Sequence, residues 1–370
     1  MLRGGAVREA FVHDMPASRV VFAPGALNDL AGEVARLGAR RAMLISGGHE
    51  RGDAARVQQL LGSTLVSRFS DVVMHVPRSH AARAVEQALA DDVDLVIALG
   101  GGSSTGFAKA VAREVDVNIL AIPTTYAGSE MTPIWGITED ERKVTGRDVR
   151  VLPKTVMYDP ELTLSLPAQL SAASGMNALA HLVEGLYAPE HSPISRLVAA
   201  EGVRALASSL PRVVADPTDL DARSDALYGA WLAGWILGTT GMGVHHKIAH
   251  VLGGTFNLPH APTHSAVLAY ATAFNEDSAP MAMAAIRQSL ASAGFDASTA
   301  AGGVWDLANA IGAPTSLGEL GFSIGDVELA TELVVAGKPV NPRAVEADGV
   351  RALLTAAIAG KRPEGELGAQ

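Results

Sequence analysis

"LVIALGGGSSTGFAKA", residues 95 to 110, is an unbroken apolar run, a glycine-serine turn and the start of a helical pattern. A buried strand feeding a helix through a small-residue turn is one βα unit. The same texture recurs on either side. "RVVFAPG" (19 to 25) leads into "ALNDLAGEVARLG", "RAMLISGG" (41 to 48) into "DAARVQQLLG", and "VVMHVP" (72 to 77) into "AARAVEQALADD". "NILAIPTTYAGSE" (118 to 130) closes the series in another turn. Repeated βα units predict a parallel sheet with helices on both faces, with ligands at the carboxyl ends of its strands.

The texture changes near Pro167. Ala- and Leu-rich segments with helical spacing, such as "SRLVAAEGVRALASSL" and "SDALYGAWLAGWILGTTGMG", replace the strands. The expectation is an α/β domain over 1–166, an all-α domain over 167–359 and a flexible tail over 360–370. At 370 residues the chain has room for both domains.

Composition narrows the partners. A formal charge of −10, with no block of basic residues, argues against binding a nucleic-acid backbone. A small molecule is the expected partner. There is no cysteine, hence no disulfide, thiolate ligand or cysteine nucleophile. No run of apolar residues is long enough for a membrane span, and the N-terminus lacks a signal-peptide core, so a cytoplasmic location is the default reading.

Two turns carry the binding chemistry. Gly100, Gly101 and Gly102 let backbone amides approach an anion at a helix N-terminus, which suits a pyrophosphate, with Ser103 beside them; an ordinary βα turn is the alternative. Thr124, Thr125 and Ser129, after the next strand, open onto the same sheet edge and offer hydroxyls to phosphate, ribose or nicotinamide amide, unless they are simply turn and capping residues. The turn after "RAMLISGG" holds no acidic residue for a ribose 2′-hydroxyl. His49, Glu50 and Arg51 follow instead, so the expected cofactor is NADH or NADPH.

A second constellation lies in the helical half. Asn177 and His181, and again His246 and His250, are spaced i, i+4 and share a helix face, while His260 follows Pro259 ten residues on. Three neutral imidazoles bind Zn²⁺ or Fe²⁺, but an amide at Asn177 removes a full negative charge from beside such a dication. Affinity for a metal is expected to fall.

Together these motifs resemble the iron-containing alcohol dehydrogenase superfamily: "GGGS" (100 to 103), "PTT" (123 to 125), "GMNALAHLVEG" (175 to 185) and "HKIAHVLGGTFNLPHA" (246 to 261) occur in its order. The resemblance implies a Rossmann-like dinucleotide-binding domain, a helical catalytic domain and a homodimer, the last through an N-terminal edge strand near "EAFVHDM" (9 to 15). It also implies that Asn177 stands where the superfamily has a metal-binding Asp. His181, His246 and His260 keep the other three ligand places, and His250 matches a further active-site histidine. Gly106 replaces an Asp often found three residues after the serine of the glycine loop.

"IPTTYAGSEMTPIWGITE" (122 to 139), "TGRDVRVLPKTVMYDPELT" (145 to 163) and "NPRAVEADGVRALLTAA" (341 to 357) are similar to the maleylacetate reductase branch. The activity this implies is NAD(P)H-dependent reduction of the carbon–carbon double bond of maleylacetate, plain or chlorinated, to 3-oxoadipate. On that reading His181, His246, His250, His260 and Asn177 are the catalytic group, no metal is needed, and Fe or Zn at His181, His246 and His260 is the alternative. A metal-dependent alcohol or polyol dehydrogenase is the rival activity. The two substrate carboxylates call for cations, with Lys247, Arg147 and Arg150 as candidates.

Overall fold

The computed structural model describes residues 14, 17–139, 142–365 and 367. The stretch 9–15, expected to pair between protomers, lies outside the described residues except for Asp14, and so does the end of the expected tail.

Five strands come first: β1 (Arg19–Phe22), β2 (Ala42–Ser46), β3 (Leu65–Phe69), β4 (Leu95–Gly100) and β5 (Asn118–Pro123). An antiparallel hairpin, β6 (Ile134–Glu139) and β7 (Arg142–Arg147), precedes β8 (Thr155–Tyr158). The main sheet has the order β1-β8-β5-β4-β2-β3, and its pairs are all parallel.

Four helices cover it: α1 (Leu30–Arg36), α2 (Arg51–Leu61), α3 (Arg78–Ala90) and α4 (Gly102–Val115). β4 shows why this segment is apolar throughout. Leu95, Ile97 and Leu99 pack toward α1 and α2, whereas Val96 and Ala98 pack toward α3 and α4. A strand buried on both faces has no polar alternation to show. One consequence positions the ligand: the chain leaves neighbouring strands β2 and β4 toward opposite faces, opening a crevice between their carboxyl ends.

One sequence expectation fails here. "VVMHVP" (72 to 77) forms no regular strand; the strand is "LVSRF" at 65 to 69. His75 and Val76 have φ of 66° and 51°, a left-handed backbone that breaks a ladder. Their residue types favour a strand, and tertiary context overrides them.

The helical half runs through α5 (Ala168–Tyr187), α6 (Pro193–Ala215), α7 (Leu220–Thr239), α8 (Val244–Phe256) and α9 (His260–Phe274). It continues through α10 (Pro280–Ser292), α11 (Ala300–Ala310), α12 (Val327–Ala336) and α13 (Ala347–Ala359). The buried Arg223 of α7 ties it to the sheet, donating to Tyr126 Oη, Ser171 Oγ and the carbonyls of Leu166 and Pro217 at 2.7–3.3 Å. Gly234 and Gly238 of α7 let the 128–131 turn approach closely: a methyl on either would lie 2.8 Å from Gly128 O or 2.6 Å from Met131 O.

Candidate active site

The crevice begins at the glycine turn. Gly100 has φ of 134°, and a methyl there would lie 2.6 Å from Ser104 Oγ; one on Gly101 would lie 3.0 Å from Thr125 Oγ1. Only glycine leaves this space open. Gly101 precedes α4 without a side-chain cap, so the first helical amides keep their capacity for an anion. Ser103 and Thr125 are half-buried along this edge, and Thr124 N donates to Gly100 O at 3.2 Å, joining the two turns. These residues fit the pyrophosphate of a dinucleotide.

Ser129 has a different environment. The fully buried Lys109 Nζ donates to Ser129 O (2.7 Å), Thr132 O (2.8 Å) and Ile134 O (2.6 Å), with Ser129 Oγ and Thr132 Oγ1 at 3.3 and 3.0 Å. Burial lowers the Lys109 pKa to about 7. This side chain ties together the 129–134 turn, which carries Ser129. Gly106 is explained as well: a methyl there would lie 2.7 Å from Val76 Cγ2, so the position has no room for an Asp side chain without movement.

The turn reaches the helical half at Gly128, whose added methyl would lie 3.5 Å from His181 Nδ1. Beyond it six imidazoles gather. His181 and His246 face each other at 4.9 Å between ring centroids, and His250 stands edge-on to His246 at 6.2 Å. His260 and His264 are 4.4 Å apart, and His264 is 4.9 Å from both His245 and His246. The sequence reading found four of the six. His264 was open to the same argument, being i+4 from His260; His245 was masked by its adjacency to His246.

Glu184 orders this group. It lies one turn after His181 on α5, fully buried, and accepts from the amides of Gly243 (3.0 Å), His245 (2.8 Å) and His246 (3.3 Å). It therefore caps α8, where the helix dipole favours an anion. His246 Nδ1–H donates to Glu184 Oε2 at 2.6 Å, which turns the Nε2 lone pair into the cluster. Burial pushes the Glu184 carboxyl up, but four N–H donors on two oxygens call for the carboxylate form.

Burial also holds the imidazoles neutral. His181, His246 and His264 lie well below the ordinary histidine value, chiefly by desolvation and then by neighbouring imidazoles. His250 and His260 are pushed down to about 4 and about 3 by desolvation and then by Lys143, although both rings are open to solvent and screening tempers the shift.

Asn177 Oδ1, His181 Nδ1, His246 Nε2 and both nitrogens of His264 are buried without hydrogen-bond partners. Such orphans await a ligand. Ring nitrogens of His245, His246 and His264 lie within 4.8 Å of one another, yet His245 is committed: its Nε2–H donates to His264 O at 2.9 Å and its Nδ1 faces His246 Nδ1. The remaining donors, an amide oxygen and imidazoles, are all neutral, and the nearby carboxylate, Glu184, is spent on α8. Imidazoles can hold Zn²⁺ or Fe²⁺ by themselves, and without an anionic ligand this set would hold such an ion more weakly.

The expected cations divide: the two arginines are engaged elsewhere, while the charge of Lys247 still reaches His250. Arg150 pairs with Asp148 at 2.6 Å on the surface, and Arg147 donates to Gly238 O at 2.9 Å. Lys247 packs on Gly337 at the end of α12, where an added methyl would lie 2.3 Å from its Nζ. The cation whose field reaches His250 and His260 is Lys143, on the β6–β7 hairpin, which sequence reasoning passed over.

A parallel sheet with a glycine-lined crevice, facing a histidine cluster on helices, defines a nicotinamide-type oxidoreductase architecture. The chain belongs to the iron-containing alcohol dehydrogenase family: the family model "Iron-containing alcohol dehydrogenase" matches residues 17–160, and "Fe-containing alcohol dehydrogenase family, C-terminal" matches 171–358. It is 48% identical over 354 residues to maleylacetate reductase of Burkholderia cepacia, covering 96% of this chain and 99% of that one. It is also 48% identical over 353 residues to the enzyme of the same name from Sphingobium indicum, at 95% and 99% coverage. The crystal structure of maleylacetate reductase from Rhizobium sp. strain MTP-10005 superposes with a TM-score of 0.92 at 44% identity, over 96% of this chain and all of that one. These relatives place the chain in the maleylacetate reductase branch.

Proposed function

We infer that the chain reduces the carbon–carbon double bond of maleylacetate to 3-oxoadipate, a step of aromatic-compound breakdown, with NADH or NADPH as the reductant. The observation that carries the site's part is the set of neutral polar atoms left without hydrogen-bond partners around Glu184 and His246. When bound, the reduced nicotinamide supplies a hydride to the carbon β to the ketone. Electrons then move onto the ketone oxygen, and the carbon between takes a proton.

The residues answer both needs. His246, backed by Glu184, gains a proton on Nε2 most readily when a dianionic substrate enters, because both carboxylates stabilise the imidazolium. His181, His250 and His260 offer neutral N–H groups to the developing enolate, as preorganised donors do. Asn177 orients the substrate through its amide. Lys143 meets one substrate carboxylate, and Lys247 remains a candidate for the other; Arg147 and Arg150 are engaged elsewhere. A conjugated acceptor spreads its charge, so these donors suffice without a Lewis acid.

The same reading includes a homodimer, which sedimentation would test, and a cytoplasmic location. No helix among the described residues is long and apolar enough to cross a membrane.

Product analysis tests the reaction. With maleylacetate and NADH, 3-oxoadipate forms mole for mole with cofactor oxidised. Oxidation of simple alcohols with NAD⁺ and no 3-oxoadipate would favour the rival metal-dependent alcohol dehydrogenase, for which the orphaned His181 and His246 nitrogens would be ligands.

A further inference from the structure

The crevice has two lips. One is the glycine turn after β4, Gly100 to Ser103; the other is the turn after β2, Gly47 to Glu50. β2 and β4 are direct neighbours in parallel register, Ser46 opposite Leu99, so the lips stand side by side. Glu50 occupies the N-cap position of α2 but does not cap it: no side-chain hydrogen bond closes that helix. Its carboxylate turns back over the crevice instead. A methyl on Gly47 would lie 3.0 Å from Glu50 Oε2, and one on Gly100 would lie 3.2 Å from Glu50 Oε1. A single half-buried carboxylate thus touches both lips.

A dinucleotide whose pyrophosphate rests on α4 turns its adenosine ribose toward the neighbouring strand end, which here is the β2 lip. A carboxylate there accepts from a ribose 2′-hydroxyl and repels a 2′-phosphate. We propose that Glu50 is the residue that selects NADH over NADPH, taking from three positions along the chain the role that an acid directly at the strand end would have. The sequence turn lacks such an acid because position 47 is glycine; that glycine is what leaves room for Glu50 to fold back.

The proposal rests on the glycine turn being the cofactor site, and the test separates the two. Calorimetry measures ADP-ribose and 2′-phospho-ADP-ribose binding to the full chain and to Glu50→Gln, which keeps the shape and removes the charge. The wild type binds ADP-ribose about ten-fold or more tightly than its 2′-phosphate, a gap that salt narrows. Glu50→Gln tightens the 2′-phosphate ligand by about ten-fold while ADP-ribose changes by only about two- to three-fold. The KM values for NADPH and NADH move in the same sense. Two ligands that bind with a ratio unchanged in Glu50→Gln would overturn the role of Glu50 alone. A wild type that prefers the 2′-phosphate would also overturn it and point to Arg51. If neither ligand binds, the cofactor reading of the glycine turn falls, and this proposal falls with it.

Discussion

Glu184 Oε2 and His246 Nδ1 lie 2.6 Å apart, both buried, and the same carboxylate caps the helix on which His246 rides. One group therefore sets the position, the tautomer and the proton affinity of the imidazole. Glu184→Gln keeps the volume but presents an amide that cannot accept from every one of those donors. We expect kcat to fall by about 10²-fold or more. Circular dichroism and the unfolding midpoint, read beside kcat, separate this from the loss of the cap, which costs about 1–2 kcal/mol. An unchanged kcat would detach Glu184 from the chemistry.

Asn177→Asp supplies the anionic ligand that the cluster lacks. Affinity for Zn²⁺ or Fe²⁺, measured by competition with a chromophoric chelator, should rise by about 10-fold or more, since a charged oxygen replaces an amide at an orphaned position. Equal affinities in the two proteins would show that the amide is not what weakens the site.

Lys109→Met removes the ammonium under the 129–134 turn and leaves carbonyl and hydroxyl oxygens buried without a donor. The loss is expected to be about 3 kcal/mol or more in denaturant unfolding, with a raised KM for the cofactor and a smaller change in kcat. A variant as stable as the parent would show that this turn holds itself.

The histidine cluster gives stability a direction in pH. Burial pushes His245 down to about 4 in the folded chain, against 6.5 for an ordinary imidazole, and His250 and His260 are lowered in the same direction, tempered by their exposure. Below 6.5 the unfolded chain takes up protons that the native cluster refuses, so stability is fully present above 6.5 and is lost as pH falls toward 4. His245, wholly enclosed, alone accounts for roughly 3 kcal/mol of that loss. Urea midpoints at pH 7.5, 6, 5 and 4 check it. A flat profile through this range would mean that the imidazoles are solvated.

Much of this was legible in the chain. β4 and its glycine turn, the change of texture near Pro167 and the i, i+4 pairs follow from periodicity, because burial on two faces and helical spacing leave marks on local sequence. Three features left none. The strand at 65–69 competes with a more apolar run whose backbone is bent by contacts distant in sequence. The pairing of Glu184 with His246 spans two helices, and nothing local marks a buried glutamate among apolar neighbours as a partner. Lys143 sits on the β6–β7 hairpin, far along the chain from the histidines that its charge reaches. Arg150 shows the converse, since Asp148, two residues away, is near enough to pair with it.

The most direct measurement is NADH oxidation with maleylacetate by enzyme treated exhaustively with chelator, before and after adding Fe²⁺ or Zn²⁺. The account predicts full turnover without metal and no gain on its return, because Glu184, His246 and the surrounding imidazoles supply the donors. Turnover that appears only when metal is restored would contradict it, and would make Asn177, His181, His246 and His260 a metal centre.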